Sequence, residues 1–230
     1  MKIVNILQSL LITVVVLAGC TEIDNYDEPG ETLTGSIIDE VTNKPIITEQ
    51  PNGFRIKLSE ISWSDNPQPE YFWGKADGTF NNTKIFKGTY EVSPVEGAFF
   101  PVEPVTTEIK GTTKLEFVVT PYLSVNITNT SFSNGVLNVS YKISRTKVGD
   151  KIADARVFIS TNPNVGSNIL MNELSPLKEL SDMDDTEILS TIFTETIEGF
   201  DAQKTYYMRV GARTDNSSRR YNLTEIIEVK

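Results

Sequence analysis

Along most of this chain, apolar and polar residues alternate one by one, and no long segment has the period of an amphipathic helix. Leu33, Gly35 and Ile37 would share one face of a strand, as would Leu137 and Val139 much later in the chain. Gly, Pro, Asn and Asp recur at short intervals between these segments and indicate turns. The pattern predicts an all-β chain whose half-buried strands pack as β-sandwiches.

Two dipeptides indicate turns of a specific kind. Asp77-Gly78 and Asn134-Gly135 each stand between two candidate strands. Asp-Gly and Asn-Gly favour the tight turns of β-hairpins, because both central residues of such turns need a positive φ. We therefore predict one hairpin in each half of the chain.

The length of 230 residues suits two domains behind a leader. We assign residues 1–19 to a lipoprotein signal peptide, 20–30 to an acidic tether, 31–121 to a first β-sandwich and 122–230 to a second. The join at Pro121-Tyr122 leaves almost no linker. Two domains joined so closely are expected to pack against each other with limited freedom.

The first 20 residues have the features of a bacterial secretion leader. Lys2 precedes an apolar run that is densest over residues 10–18 and is too short to span a membrane. Ala18-Gly19-Cys20 resembles the lipobox, in which the leader is cut before a cysteine that receives a diacylglycerol. Cys20 is therefore the predicted lipidation site, and its acyl chains would hold the protein on a membrane. The alternative is an ordinary secretory leader followed by a free cysteine.

The residues behind Cys20 are acidic and form the predicted tether. Acidic residues in this place resemble the surface-export signal of Bacteroidota lipoproteins. That resemblance implies an outer-membrane location facing the cell exterior. The alternative is a solvated linker that carries no address.

Composition excludes several classes of function. The net charge of −10 disfavours nucleic acid as a partner, because phosphate binding needs clustered Lys and Arg. The chain has no histidine and a single cysteine, so no Cys/His metal site, Ser-His-Asp triad or disulfide can form within it. Carboxylate pairs are the remaining catalytic option, and nothing in the sequence indicates one. We expect a protein that is not an enzyme and has no cofactor or metal.

Residues 61–74 hold both tryptophans of the chain around a polar, proline-rich turn. An aromatic ring beside Asp, Asn or Gln suits a sugar, because the ring packs on the pyranose face and the polar groups bind its hydroxyls. The strand period places Tyr71 and Trp73 on one face and Phe72 on the other. The alternative is that Trp73 and Phe72 belong to the core and that Trp63 covers an open edge. The candidate ligand-binding residues are Trp63, Asp65, Asn66, Tyr71 and Trp73.

A second unusual segment is residues 94–104, where Phe99 and Phe100 lie between prolines. Adjacent residues of a β-like segment point in opposite directions, so one ring should face outward or against a neighbour. Phe99 and Phe100 are therefore candidates for binding a partner protein. The alternative is a loop folded onto the end of the sandwich or onto the second domain.

The second half of the chain ends in a segment that resembles a fibronectin type III domain. In residues 200–212, Tyr206 stands at the position of the tyrosine corner, whose hydroxyl bonds to backbone upstream. Residues 172–190 depart from the strand pattern, because leucines recur every three residues and predict one or two short helical turns. The acidic stretch 181–187 lacks the spacing of a calcium loop and is interpreted as a solvated loop.

Several motifs of the first half resemble a known family. Gly35, Pro45, Asp77-Gly78-Thr79-Phe80 and Gly88-Thr89-Tyr90 are similar to a carboxypeptidase regulatory-like, or transthyretin-like, sandwich. Longer motifs resemble a Bacteroidota family of two-domain lipoproteins of unknown function, domain of unknown function 3823. These longer motifs are residues 24–27, 48–53, 64–67, 72–73, 82–84 and 94–102.

The resemblance implies two tandem β-sandwich domains, transthyretin-like and then fibronectin type III-like. Related lipoproteins accompany outer-membrane import pairs of the starch-utilisation type, which implies a role in glycan capture. We therefore expect a membrane-anchored surface lipoprotein, a non-catalytic binding or accessory module whose partners are the membrane, a glycan and outer-membrane import proteins. The alternative is a structural or assembly component that docks onto another envelope protein and binds no glycan.

Overall fold

The computed structural model describes residues 27–229 as two β-sandwich domains in tandem. The prediction of an all-β chain with two sandwiches is confirmed. The signal peptide and Cys20 lie outside the described residues. Within residues 27–229, no helix is long and apolar enough to cross a membrane.

The first domain consists of two facing sheets. One sheet has the strand order β4-β1-β7, with β1 and β7 parallel, and the other has the order β3-β2-β5-β6. The strands β3 and β4 each lie at an edge of their sheet. The seven strands are β1 (Glu31–Asp39), β2 (Arg55–Glu60), β3 (Glu70–Trp73), β4 (Thr79–Ile85), β5 (Gly88–Val95), β6 (Val105–Ile109) and β7 (Thr112–Val119).

The alternation seen in the sequence places one apolar row of each strand between these sheets. Leu33 and Ile37 of β1 are fully buried, as are Ile56 of β2 and Val92 of β5. Gly35 lies between the first two, where the ring of Phe80 packs across the strand. The core therefore forms because strand period and sheet pairing bring apolar faces together.

The predicted hairpin at Asp77-Gly78 is wrong. Gly78 does have a positive φ of 76°, and the carboxylate of Asp77 accepts a hydrogen bond from the Thr79 amide at 3.0 Å. The turn nevertheless connects β3 of one sheet to β4 of the other. A local turn signal defines a reversal of the chain but does not determine which strands pair.

The second domain also has two sheets, with the orders β12-β9-β8 and β11-β10-β13-β14, and β15 also pairs with β13. The predicted hairpin at Asn134-Gly135 is confirmed, because both residues have a positive φ and join β8 to β9. The strands are β8 (Ser124–Ser133), β9 (Val136–Ser144), β10 (Ile152–Ser160), β11 (Leu177–Glu179), β12 (Ile192–Glu198), β13 (Tyr206–Thr214), β14 (Asn222–Leu223) and β15 (Ile227–Val229).

Residues 172–190 contain two short helical segments, as predicted, but neither includes Leu177 or Leu180. A single 3₁₀ turn covers Asn172–Leu174, β11 follows, and the helix α1 covers Asp185–Ser190. Asp184 begins α1 by accepting a hydrogen bond from the Thr186 amide at 2.8 Å. Among residues 27–229, no cluster of three or more acidic side chains is arranged to hold a metal ion.

The predicted tyrosine corner is present. Tyr206 is 3% exposed, and its hydroxyl oxygen accepts a hydrogen bond from the Asp201 amide at 3.0 Å. Its ring also packs edge-on against Phe200. The bond holds the turn before β13 to the core of the second domain.

Replacing Tyr206 with phenylalanine should lower the free energy of unfolding by about 1–2 kcal/mol, because the Asp201 amide loses its acceptor while the ring still packs. Urea denaturation followed by circular dichroism measures the change. Tyr207→Phe is the matched control, because that hydroxyl makes no hydrogen bond with the described residues. Equal losses from both substitutions would contradict a special role for the corner.

The two domains are joined by buried polar contacts. Arg209 of β13 is 2% exposed and donates hydrogen bonds to the carbonyl oxygen of Thr48 at 3.0 Å and to that of Thr224 at 2.8 and 3.1 Å. The carboxylate of Glu49 accepts hydrogen bonds from the amide and hydroxyl of Ser167 at 2.7 and 2.6 Å. Asn222 donates to the carbonyl oxygen of Ala98 at 2.8 Å. These contacts hold the loop 45–50 against β13 and the loop that follows β10, and they hold Ala98 against β14.

Candidate functional site

The predicted ligand-binding residues lie in two separate places. Trp63, Asp65 and Asn66 lie on the loop between β2 and β3, whereas Tyr71 and Trp73 lie on β3 itself. Trp63 borders a cleft at the open edge of the first sandwich. Tyr71 and Trp73 point away from that cleft, because they occupy the outer face of their sheet.

The loop of Trp63 is held by hydrogen bonds at its start. The carboxylate of Glu60 accepts from the Ser62 amide, and the Ser62 hydroxyl accepts from the Thr89 amide, both at 2.7 Å. Pro67 and Pro69 then prevent the loop from continuing as a paired strand. The loop therefore leaves Trp63 78% exposed.

The cleft lies between the edge strands β3 and β4 and has a volume of about 820 Å³. We call it the Trp63 cleft. Glu70 of β3 and Lys84 and Ile85 of β4 line the cleft. Phe86 lies beside them with 53% of its surface exposed. The lining residues are Asp27, Leu58, Glu60, Trp63, Gln68, Glu70, Lys84, Ile85, Phe86, Lys87 and Tyr90.

Trp63 and four polar side chains of the Trp63 cleft have no ring, cation, hydrogen-bond or ion-pair partner among the described residues. No ring or cation of residues 27–229 stacks on Trp63, and 78% of its surface is exposed. The polar ends of Gln68, Glu70, Lys84 and Lys87 make no hydrogen bond or ion pair with any described residue. Unpaired donors and acceptors beside an exposed indole are the chemistry by which proteins hold polyhydroxylated ligands.

Tyr90 forms part of the cleft wall and remains a neutral phenol. Burial, with smaller contributions from the charges of Glu60 and Glu70, raises the pKa of Tyr90 to about 12. Its hydroxyl donates a hydrogen bond to the carbonyl oxygen of Phe86 at 2.9 Å. The bond positions the exposed ring of Phe86 on the rim.

A larger groove of about 930 Å³ lies between the two domains. It is lined by aliphatic and polar residues, such as Ile46, Val125 and Glu225, and none of its lining residues is aromatic. The groove therefore lacks a ring on which a sugar could stack. Of these two openings, the Trp63 cleft is the one that offers aromatic side chains.

Asp65 and Asn66 are exposed at the tip of the loop and do not line the Trp63 cleft. The amide of Asn66 donates to the hydroxyl of Ser64 at 3.1 Å, which shapes the turn. Their position next to Trp63 in sequence does not bring their side chains to the cleft. Their assignment as ligand-binding residues stays a prediction.

Tyr71 and Trp73 share one face of β3, as the strand period predicted, and are 43% and 41% exposed. Phe72 points inward and packs edge-on against Phe80, with 6.3 Å between the ring centroids. On the outer face, the guanidinium carbon of Arg55 lies 4.4 Å from the Tyr71 ring centroid and 5.6 Å from that of Trp73. The alternative that both Phe72 and Trp73 are core residues therefore holds for Phe72 alone.

Phe99 is closed off from a partner protein, and Phe100 is partly covered by the second domain. Phe99 is 4% exposed and lies in the core of the first domain. Phe100 packs edge-on against Tyr122, with 4.8 Å between centroids, and the Lys147 amino group lies 4.6 Å from its ring. The structure corresponds to the alternative in which the loop folds onto the second domain. The physical reason is that adjacent residues of a β-like segment point in opposite directions, so one ring enters the first core and the other packs on Tyr122.

The sequence pattern did not identify several residues that line the Trp63 cleft. Gln68 and Glu70 belong to the segment already singled out, but Lys84, Phe86 and Lys87 come from the next chain reversal. An apolar Phe86 between two lysines, just before the turn at Gly88, was the available signal. Nothing in the sequence showed that this reversal lies beside Trp63, because β3 and β4 are in different sheets.

Two family models match almost the whole described part of the chain. Residues 31–120 match the N-terminal domain of the protein family of unknown function DUF3823, and residues 123–228 match the domain of unknown function DUF3823_C. A search of curated proteins finds no match.

Three solved structures of similar proteins support the same architecture. A DUF3823 family protein from Bacteroides uniformis is 30% identical, with 87% of this chain and 99% of that chain covered and a TM-score of 0.78. One from Parabacteroides merdae is 18% identical, with 89% of this chain and 100% of that chain covered and a TM-score of 0.70. A Bacteroides uniformis protein provisionally named a carbohydrate binding protein is 23% identical. The match covers 88% of this chain and 99% of that chain, with a TM-score of 0.72.

Proposed function

We propose that this chain, which belongs to the DUF3823 family, is a non-catalytic glycan-binding accessory module of a bacterial surface lipoprotein. The observation that carries the proposal is the Trp63 cleft. It combines an unstacked, 78% exposed indole with unpaired carboxylate, amide and ammonium groups around a volume of about 820 Å³. That volume is within the range of sites that bind small molecules.

The groups of the cleft match the two surfaces of a sugar. The indole of Trp63 and the ring of Phe86 offer flat apolar surfaces for the C–H face of a pyranose. Gln68 and Glu70 can accept hydrogen bonds from ring hydroxyls, and Lys84 and Lys87 can donate to them. The provisional name of the similar Bacteroides uniformis protein agrees with this chemistry, although 23% identity supports the fold alone.

The anchor is part of the proposal. Cys20 would carry the lipid and hold the protein on the exterior face of the outer membrane, beside an import system of the starch-utilisation type. Asp27 lines the cleft and is seven residues beyond Cys20 in sequence. A chain of that length reaches at most about 25 Å, so the tether would keep the cleft close to the membrane surface. A glycan bound there would be held near the import proteins.

The test uses residues 21–230 without lipid and follows tryptophan emission while neutral oligosaccharides of plant, host and microbial origin are added. We expect a saturable shift with one class of glycan. Trp63→Ala should weaken binding about tenfold or more, because the stacking surface is lost; its affinity is measured by isothermal titration calorimetry, since the substitution removes the reporting indole. Trp73→Ala is the matched control and should leave the affinity for neutral glycans within about twofold.

Two outcomes would contradict the proposal. One is that no glycan moves the emission of the wild-type protein. The other is that Trp63→Ala binds as tightly as wild type while its circular dichroism is unchanged. Either result would favour an assembly component that docks onto an envelope protein, which cross-linking of the full-length lipoprotein in cells would then identify.

A further inference from the structure

A row of stacked aromatic rings and guanidinium groups lies on the opposite face of β3 from the Trp63 cleft. Arg55 lies between Tyr71 and Trp73, and Arg220 of the second domain lies 5.8 Å from the Trp73 ring centroid. We call Tyr71, Arg55, Trp73 and Arg220 the arginine ladder. It spans the two domains and uses both aromatic side chains of β3 that were predicted to bind a ligand.

The ladder is locally positive on an acidic protein. Arg55 is paired with Glu96, with 2.8 Å between its Nε and the carboxylate, and Arg213 nearby is paired with Asp154. Arg219 and Arg220 make no ion pair with any carboxylate of residues 27–229. Arg220 and its neighbour in sequence Arg219 therefore carry charges that no described carboxylate compensates, on a chain whose net charge is −10.

Arg220 has hydrogen-bonding capacity that the protein does not use. Its Nε is buried and has no partner among the described residues. A buried donor without an acceptor is costly, and such groups in native proteins call for an explanation. The two terminal nitrogens of Arg220 also make no hydrogen bond with any described residue, so they can donate to a bound anion.

Stacking does not prevent a guanidinium from binding an anion. Contact with Trp73 uses the flat face of Arg220, whereas hydrogen bonds leave from the edge of the group. The edge formed by the two terminal nitrogens presents two parallel N–H donors, whose spacing matches the two oxygens of a carboxylate. The ring of Trp73 also reduces the freedom of Arg220 before a ligand arrives.

We propose that the arginine ladder binds the carboxylate of an acidic sugar, a uronic acid unit of a glycan. The carboxylate would bind the edge of Arg220, and the exposed parts of Trp73 and Tyr71 would contact the sugar ring. This site is distinct from the Trp63 cleft and does not depend on it, because neighbouring residues of β3 point to opposite sides. The protein would then hold an acidic glycan at the junction of its two domains.

The experiment measures binding of a galacturonic acid oligosaccharide to residues 21–230 by isothermal titration calorimetry at low salt. We expect the methyl ester of the same oligosaccharide to bind about tenfold more weakly or worse, because it lacks the charge. Arg220→Gln should cause a loss of similar size. Arg220→Lys should recover only part of it, because an ammonium cannot form the bidentate contact.

Two control variants distinguish binding at the arginine ladder from general charge attraction and from binding at the Trp63 cleft. Lys114→Gln removes an exposed cation elsewhere on the first domain and should change the affinity less than about twofold. Trp63→Ala should also leave uronate binding unchanged, so failure of the Trp63 cleft and failure of the arginine ladder give different results. Thermal unfolding of each variant shows whether the fold is intact.

Four results would overturn the proposal. Equal affinity for the acid and its methyl ester would show that the carboxylate is not recognised. Equal losses from Lys114→Gln and Arg220→Gln would show attraction by overall charge alone. Tighter binding of a sulfated oligosaccharide would show that the site recognises a sulfate group and not a carboxylate. Binding of a glutamate-rich peptide with similar affinity would show an acidic peptide site.

Discussion

Replacement of Arg209 by methionine is expected to lower the free energy of unfolding by about 3–5 kcal/mol. The guanidinium is buried and donates to carbonyl oxygens on both sides of the domain junction, those of Thr48, Val165 and Thr224. Methionine fills a similar volume but leaves these buried carbonyl groups without their donor. The decrease in the free energy of unfolding should therefore include both the lost hydrogen bonds and the cost of the polar groups left unpaired.

Because Arg209 is charged and buried, the stability of the fold depends on the carbonyl groups that accept its hydrogen bonds. Burial lowers the pKa of Arg209 to about 10, although Glu49 and Glu225 act in the opposite direction. The pKa remains well above neutral, so the group is charged at pH 7. The carbonyl groups that accept from it offset the desolvation of a full charge at the centre of the junction.

Urea denaturation of wild type, Arg209→Met and Arg209→Lys measures the expected loss. Lysine should recover only part of the stability, because one ammonium cannot reach three carbonyl groups in a fixed fork. Arg219→Gln is the matched control, since Arg219 is exposed, and should change stability by no more than about 0.5 kcal/mol. A loss below about 1 kcal/mol for Arg209→Met would show that the junction does not depend on this residue.

Gly35→Ala is expected to lower the free energy of unfolding by about 3 kcal/mol or more. A Cβ atom at Gly35 would fall on the carbonyl oxygen of Leu115 and come within 2.5 Å of Phe80 Cζ. One of these atoms is backbone of the neighbouring strand β7, so it cannot move without separating β1 from β7. The ring of Phe80 is 1% exposed and has no free space into which it could turn.

Thermal unfolding and urea titration of Gly35→Ala test this expectation. Gly30→Ala is the matched control, because its nearest contact would be an ordinary 3.7 Å to the Glu28 carbonyl oxygen and its φ is not positive. The control should stay within about 0.5 kcal/mol of wild type. A Gly35→Ala protein as stable as the control would mean that β1 and β7 separate more easily than the packing indicates.

The sequence predicted those features that depend on neighbours along the chain. Alternation identified the strands, because the side chains of a strand point to opposite faces whatever the strand pairs with. The same rule placed Tyr71 and Trp73 on one face of β3, and the hydroxyl of Tyr206 binds the Asp201 backbone as the corner motif indicated. The hairpin at Asn134-Gly135 formed because its two strands are neighbours in the sheet as well as in sequence.

Predictions were wrong or incomplete where distant segments decide the outcome. Asp77-Gly78 has the residues of a hairpin, yet its flanking strands pair with β1 and β2 in opposite sheets. For Phe99 and Phe100 the sequence left open whether one ring faces outward or packs on a neighbour, and the fold packs Phe100 on Tyr122 of the second domain. Lys84 and Phe86 are about twenty residues from Trp63 in sequence and meet it only because β3 and β4 form two edges of one opening.

The sequence by itself determined the all-β class, the two-domain organisation and the aromatic segment, because each is encoded in residues close together in the chain. Only the tertiary structure decided which rings are buried, which are free and which stack on arginine. Burial and stacking depend on strands brought together from distant parts of the chain, as Trp73 shows by meeting Arg220 of the other domain. Exposed Trp63 and stacked Trp73 therefore differ although they belong to the same segment, because the fold places different neighbours beside them.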